Sequence, residues 1–233
     1  MQGTQNFYNL VAQEWNEYKQ KPLPAFNLLM SSVNVGKVCL DVGTGNGRHL
    51  KQICEKFEKV YAIDNSEKLL EIAKQNHAKL GVDFKLADVT LLPFSENFFD
   101  AVFCIAVLHH LSAEDAVVAF NEFHRVLKPG GLLLGSVWNK HQPKFENISG
   151  KEGNVGWKMK NSETVGRFVH FFEKQEIEKL ASDAGFEIVK LFHELKGNEH
   201  KRRSVCDSVT SSACAEECDE KGAGNLCFVI RKV

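Results

Sequence analysis

Three glycines at alternate positions, Gly43, Gly45 and Gly47, follow an apolar run that ends in Asp41 and Val42. A strand, a tight glycine loop and a helical stretch from His49 to Phe57 are the parts of a nucleotide-type site, where backbone N–H groups approach a ligand closely. The acid decides what kind of ligand. A pyrophosphate-binding turn reads G-x-G-x-x-G, and a carboxylate at its strand tip would face the phosphates across about 4–6 Å with the wrong sign. Here the third glycine comes one residue early, Arg48 stands where that glycine is expected, and Asp41 sits at the tip. A carboxylate there suits a cationic ligand.

S-adenosylmethionine (SAM) carries an ammonium and a sulfonium, and the D-x-G-x-G of this segment resembles the first motif of the class I methyltransferases. A second apolar run, Lys59 to Asp64, also ends in an acid. It follows the glycine loop at about 20 residues, the interval that lets a carboxylate on the neighbouring parallel strand reach both ribose hydroxyls. A third run, Val82 to Leu86, leads to Asp88 and Val89, where a side-chain acceptor and a backbone N–H can read an adenine edge. The cofactor is therefore expected on Asp41, Gly43, Thr44, Gly45, Asn46, Asp64, Asn65, Asp88, Val89, Ile105 and Ala106, with Tyr8 of an N-terminal helix closing over it.

These residues need strand tips held side by side. Phe99 to Val107 reads as a fourth strand, and Leu132 to Trp138 as a fifth after the turn Lys128-Pro129-Gly130-Gly131. Helical stretches run from Ser66 to His77 and from Lys174 to Ala184, and strand and helix alternate, which predicts a doubly wound, mostly parallel α/β sheet. The class I resemblance implies a Rossmann-like fold with an antiparallel C-terminal strand. A single domain over residues 1–233 is expected, with a helical cap at about 5–30 and a mobile loop at about 196–223.

The 233 residues are 43% hydrophobic and 25% charged, enough to bury a full core. The sequence has no apolar run of about 18 residues to span a membrane, and no signal-type segment is read at its start, so a cytoplasmic enzyme is expected. Cys39, Cys54 and Cys104 fall in apolar patterns and read as small buried hydrophobes. Cys206, Cys214, Cys218 and Cys227 show neither C-x-x-C pairing nor zinc-finger histidines, so reduced thiols and no metal are expected. A formal net charge of −1 lacks the basic signature of a protein that grips nucleic acid unaided, and DNA is not expected as a partner. Lys196, His200, Lys201, Arg202 and Arg203 form a local basic cluster, read either as a solvated loop or as an RNA-backbone contact.

The acceptor is constrained by what is missing. The fourth strand continues as Ile105-Ala106-Val107-Leu108-His109-His110-Leu111, without the Pro-Pro-aromatic tetrad that holds a planar amine in N6-adenine and glutamine-amide enzymes. No cysteine stands in a loop beside that strand tip to serve as the nucleophile of a pyrimidine-C5 enzyme. Acceptors that are already nucleophilic remain: a carboxylate, or a hydroxyl or amine. A carboxylate needs no general base at neutral pH, only orientation. Cationic side chains for that task lie in Tyr18 to Pro24 and in Gly166 to Phe172.

Tyr8 to Pro24, Asp41 to Gly47, Ile105 to Leu111, Ser136 to Gln142, Gly156 to Lys158 and Arg167 to Phe172 together resemble, in order, the tRNA methyltransferase 9 family. That resemblance implies methyl esterification of 5-carboxymethyluridine at the wobble position in the tRNA anticodon loop. It also implies a heterodimer with a small zinc-containing activator of the tRNA methyltransferase subunit 112 type. By position, Arg167 and His170 match the family's active-site Arg and His, and His110 matches the His after the fourth strand. Lys19 falls where the family usually has Arg, keeping the charge and losing the bidentate fork. Phe168 and Val169 replace the more usual tyrosines. The residues themselves leave two alternatives open, a small-molecule O- or N-methyltransferase and a non-catalytic SAM-binding subunit.

Overall fold

The computed structural model describes residues 2–194 and 224–233. The expected loop at 196–223, with its basic cluster and Cys206, Cys214 and Cys218, lies outside the described residues. Helices α1 (Gln2–Tyr18) and α2 (Pro24–Met30) form the N-terminal cap. They are followed by β1 (Gly36–Val42), α3 (Leu50–Cys54), β2 (Phe57–Asp64), α4 (Glu67–Asn76), β3 (Asp83–Leu86), β4 (Phe99–Ile105), α5 (Ala113–Val126) and β5 (Leu127–Val137). The chain closes with β6 (Glu152–Lys158), β7 (Thr164–His170), α6 (Lys174–Asp183), β8 (Phe186–His193) and β9 (Leu226–Lys232).

Local chemistry accounts for the helix starts. The Ser66 hydroxyl accepts from the Leu69 N–H to cap α4, and the Ser112 hydroxyl accepts from the Asp115 N–H to cap α5. Glu173 and Glu176 close a capping box on α6. The helix read from His49 to Phe57 is only Leu50–Cys54, because Phe57 opens β2. Phe57 pairs with Gly36, where a side chain would lie 2.5 Å from its ring, and the ring meets Phe103 edge-on at 5.9 Å. Tertiary packing thus ends the helix three residues early.

Seven strands form one sheet in the order β3-β2-β1-β4-β5-β9-β8. β9 is antiparallel to both neighbours, and the pairs among β1 to β5 are parallel. Strand alternation sends Leu40, Val42, Val102 and Cys104 to the core under α5 and α6, and Cys39, Phe103 and Ile105 to the core under α2 and α3. Burying one such Phe or Leu contributes about 1.5–3 kcal/mol. Both faces are covered, as a parallel sheet requires. The Lys128–Gly131 segment, expected as a turn before the fifth strand, lies inside β5: register jumps from Phe99 with Leu127 to Ala101 with Leu132, leaving it as a bulge. Cys39, Cys104 and Cys227 are buried, Cys54 is half-buried, and all four are free thiols. No helix among the described residues is long and apolar enough to cross a membrane.

A separate two-stranded sheet, β6 with β7, packs against α1. Strand order reverses between β1 and β4, and at such a switch point ligands bind outside the carboxyl ends of the strands. The loops after β1, β2, β4 and β5 all open there.

Candidate active site

A cavity of about 300 Å³ occupies that position. Its floor is the loop after β1, where Gly43 and Gly45 take φ of +65° and +59°, a left-handed backbone that side chains resist. A side chain at Gly43 would run into Val107, 2.3 Å away, whereas Gly45 meets only the Trp15 indole nitrogen at 4.0 Å. The backbone is thereby open to a ligand at Gly45. Ala106, directly after β4, also has positive φ, at 60°, and its backbone N–H is held by the Ser136 carbonyl at 2.9 Å.

The cofactor residues read from the sequence gather here, with two differences. Gly43, Thr44, Gly45, Asn46, Asp64, Asn65, Val89, Ile105, Ala106 and Tyr8 line the cavity. Asp64 accepts from the Gly45 N–H and the Ser66 N–H, both at 2.8 Å, one on each carboxylate oxygen. Burial raises its pKa to about 6 against those donors. Asp41 lies beneath the loop instead of on the wall; it is buried, and its Oδ2 has no hydrogen-bond partner. Burial above all, with Asp64 adding to it, raises its pKa to about 7 against the opposing Thr44 hydroxyl and Arg48. Asp88 is turned away from the wall: its carboxylate accepts from the Thr90 N–H at 2.9 Å and the Thr90 hydroxyl at 2.7 Å, an Asx turn that leaves Ala87 and Val89 facing the cavity.

An unpaired buried carboxylate below a glycine floor, with a second carboxylate at the next strand tip, fits the ammonium and the ribose diol of SAM. Asn46 fastens the floor to the cap, its side-chain amide donating to Asn16 Oδ1 at 3.1 Å and to the Lys19 carbonyl at 3.0 Å. His49, which sequence reasoning passed over, accepts from the Leu23 N–H at 3.2 Å and stacks on Phe26. Arg48 also lines the cavity.

The acceptor candidates separate. Lys19 lines the cavity with its ammonium 5.8 Å from the Trp15 ring and 5.7 Å from the Trp157 ring. Burial lowers its pKa, and Arg48 and Arg167 lower it further. Arg167 adjoins the wall, its guanidinium 4.8 Å from the Phe7 ring and 5.0 Å from the Trp138 ring. It is 6% exposed and hydrogen-bonds the Tyr8 hydroxyl, and among the described residues its Nε and Nη1 make no hydrogen bond. His110 lines the cavity, and burial holds its pKa down at about 4, so its ring is neutral.

His170 is not brought to this group. It lies three residues beyond Arg167 on β7, an odd number, and so on the opposite face of the strand. There its Nδ1 lies 3.0 Å from Glu152 and its Nε2 3.4 Å from Glu176, joining the β6–β7 hairpin to α6. The expected partnership of His170 with Arg167 is therefore replaced by a structural tie. Val169, on the Arg167 face, packs with Phe145 and Phe171 against Trp138. Gln142, Lys144, Glu194, Gly224 and Asn225 complete the far wall. Lys144, Glu194 and Asn225 carried no sequence signal, since they stand outside every motif. Among the described residues no group of three or more His, Cys, Asp or Glu side chains is placed to hold a metal.

Comparison with known proteins agrees with this geometry. Residues 40–135 match the family model described as "Methyltransferase domain". The Arabidopsis thaliana tRNA (carboxymethyluridine(34)-5-O)-methyltransferase is 35% identical over 136 residues, which cover 58% of this chain and 32% of that one. The Schizosaccharomyces pombe protein of the same name is 29% identical over 209 residues, covering 78% of this chain and 88% of that one. The chain thus spans about a third of the plant relative and most of the yeast one. Among solved structures, a methyltransferase in complex with the Haloferax volcanii Trm112 methyltransferase activator superposes with a TM-score of 0.68 at 17% identity, covering 97% of this chain and 96% of that one. With the sheet order, the glycine floor and the two strand-tip carboxylates, these matches give the chain the class I methyltransferase fold, and they make it similar in sequence to tRNA (carboxymethyluridine(34)-5-O)-methyltransferases.

Proposed function

We propose that this methyltransferase esterifies the carboxylate of 5-carboxymethyluridine at the tRNA wobble position, giving the 5-methoxycarbonylmethyl base. The observation that carries the reading is Arg167. A guanidinium that is 6% exposed, packed on two aromatic rings and unpaired at Nε and Nη1, costs free energy unless an anion completes it. It adjoins the cavity wall at Tyr8 and Trp138, and an acceptor carboxylate is the anion that fits. The relatives' names, each a carboxymethyluridine methyltransferase, support the same substrate.

When bound, SAM supplies an electrophilic methyl group on a sulfonium, a good leaving group. The chain's own residues then position the partners. Asp64 would take the ribose diol and Asp41 the ammonium, and Gly45 leaves the loop backbone open to the ligand. Arg167, with Lys19 and neutral His110 beside it, orients the acceptor carboxylate for in-line attack. Orientation and partial removal of water supply most of the rate, because strong ion pairing would lower the carboxylate's nucleophilicity. The family's small activator subunit would fit the β3 edge, which among the described residues pairs with β2 alone: Asp83, Lys85 and Leu86 are exposed, Leu86 to 55%, and Leu91 to 76%. Such a partner adds surface for tRNA to a chain of net charge −1.

The test combines the protein, alone and with the activator, with labelled SAM and tRNA lacking the final methyl, followed by digestion to nucleosides. Label in a base-labile wobble uridine is the expected result. Label confined to small metabolites added in parallel, or none in any acceptor, overturns it.

A further inference from the structure

Glu194 places a buried carboxylate on the far wall of the cavity. It follows β8 directly and is 8% exposed, yet it lines the cavity. The strand register explains its position. Leu226, the first residue of β9, pairs with Val137 at the end of β5 and with His193 at the end of β8. Trp138, Asn225 and Glu194 each stand one residue beyond these three, so they leave the sheet side by side, and Trp138 carries the Arg167 guanidinium at 5.0 Å. In the sheet order β5, β9 and β8 lie on one side of β4, and β1 and β2, whose strands hold Asp41 and Asp64, lie on the other. Glu194 therefore faces the acceptor end of the cavity.

Hydrogen bonding at Glu194 is one-sided. Its Oε2 accepts from the Asn225 N–H at 3.4 Å and from the Asn225 side-chain amide at 3.1 Å. That amide is itself held, its Oδ1 accepting from Gln142 Nε2 at 3.3 Å. Among the described residues Oε1 accepts from nothing, and no cation pairs with the carboxylate. A carboxylate withdrawn from water with one oxygen unused demands a donor. It also repels a second carboxylate, so an acceptor's own acid must point to Arg167 and an N–H to Glu194. Uracil has one such group. Its Watson–Crick edge carries a single N–H, at N3, between two carbonyl oxygens, and unstacked RNA bases are read on that edge. The Asn225 amide has a second hydrogen to offer a flanking carbonyl.

We infer that Glu194 accepts the N3–H of the acceptor uracil and is the residue that selects uridine over cytidine for methyl transfer. The inference rests on the wobble-uridine reading and adds to it the means by which the base is recognised. Cytosine presents a lone pair at N3, which the carboxylate repels, so rejection comes from Glu194 as well as acceptance.

The experiment measures single-turnover transfer from labelled SAM to two synthetic anticodon stem-loops, using the full chain with the activator. The stem-loops differ only in the wobble base, 5-carboxymethyluracil or 5-carboxymethylcytosine. Wild type favours the uridine by about 30-fold. Glu194→Gln, whose amide both donates and accepts, lowers that preference to about threefold or less, with S-adenosylhomocysteine affinity within about twofold of wild type. A measurement on wild type alone stands whether or not the variant folds: a methyl group on N3 of the uracil slows transfer about 30-fold, and an unchanged rate overturns the inference. So does an undiminished preference for uridine in Glu194→Gln, or a loss shared by cofactor and both stem-loops, each with the wobble-uridine reading left standing. Absence of transfer from wild type to either stem-loop overturns both.

Discussion

Tyr8 on α1 donates its phenolic hydrogen to Nε2 of His110 across 2.8 Å, joining residues 102 positions apart. The direction follows from the other ring nitrogen. His110 Nδ1 lies 3.1 Å from the Phe168 carbonyl, which only accepts, so Nδ1 carries the proton and Nε2 the lone pair. Burial keeps the ring neutral and pushes the Tyr8 phenol up to about 12, so both hold these forms at any physiological pH. The cap helix is thereby pinned to the end of β4 and, through Phe168, to β7.

Replacing Tyr8 by Phe leaves His110 Nε2 buried without its donor. The expected cost is about 1–2 kcal/mol of stability, measured by chemical denaturation. S-adenosylhomocysteine dissociates faster from this variant in stopped-flow experiments, because Tyr8 forms part of the cavity wall. An unchanged dissociation rate would separate the cap from cofactor retention.

Arg167→Ala and Asp64→Ala divide the site. Arg167→Ala lowers kcat/KM for tRNA by about 10²-fold or more, as loss of an orienting group does, with SAM affinity within about threefold. Asp64→Ala weakens SAM binding first, since its carboxylate also holds the Gly45 N–H. Calorimetry on the complex with the activator, paired with single-turnover transfer, distinguishes the two; equal loss of SAM binding in both contradicts the assignment.

Protonation of Asp41 links cofactor binding to pH. Its folded pKa of about 7 lies above the ordinary 3.8, so the cofactor-free fold holds a proton that the unfolded chain has lost. The stability it contributes is fully present below pH 3.8 and is lost as pH rises through 7; Asp64, at about 6, acts in the same direction. His49, His109 and His110, kept neutral by burial, act oppositely and gain stability as pH rises toward 6.5. The carboxylate effect is therefore read from the difference between wild type and Asp41→Asn, which flattens the fall above pH 5. Affinity for S-adenosylhomocysteine in wild type rises between pH 5.5 and 7.5, by up to about tenfold per pH unit for each proton released.

His170→Ala tests the structural tie. Removing the ring from between Glu152 and Glu176 costs about 1–2 kcal/mol by denaturation. SAM affinity and single-turnover transfer at 25 °C remain within about threefold of wild type. A loss of transfer by about 10²-fold with the fold intact would return His170 to the reacting groups.

The SAM half was legible because its signals are local. Asp41, the glycine loop and Asp64 lie on consecutive strand tips, where a few covalently linked residues set the geometry. Asp88 misled for a related reason: an Asx turn with Thr90, two residues on, competes for the same carboxylate. Phe57 reads as helical in the sequence because its propensity carries no trace of Gly36, its partner on β1.

Two features on β7 mark the other limit. Arg167 and His170 form one sequence block, yet strand periodicity places them on opposite faces, and which face meets the cavity depends on how the β6–β7 hairpin packs on α1. Tyr8, His110, Trp138 and Arg167 converge from four separate elements, and no spacing in the chain records that. The sequence by itself determined the methyl donor, since strand, loop and acid are neighbours in covalent order. The tertiary structure alone decided that Arg167 reaches the cavity wall with Nε and Nη1 unpaired among the described residues, because an unpaired polar group is defined by everything packed around it.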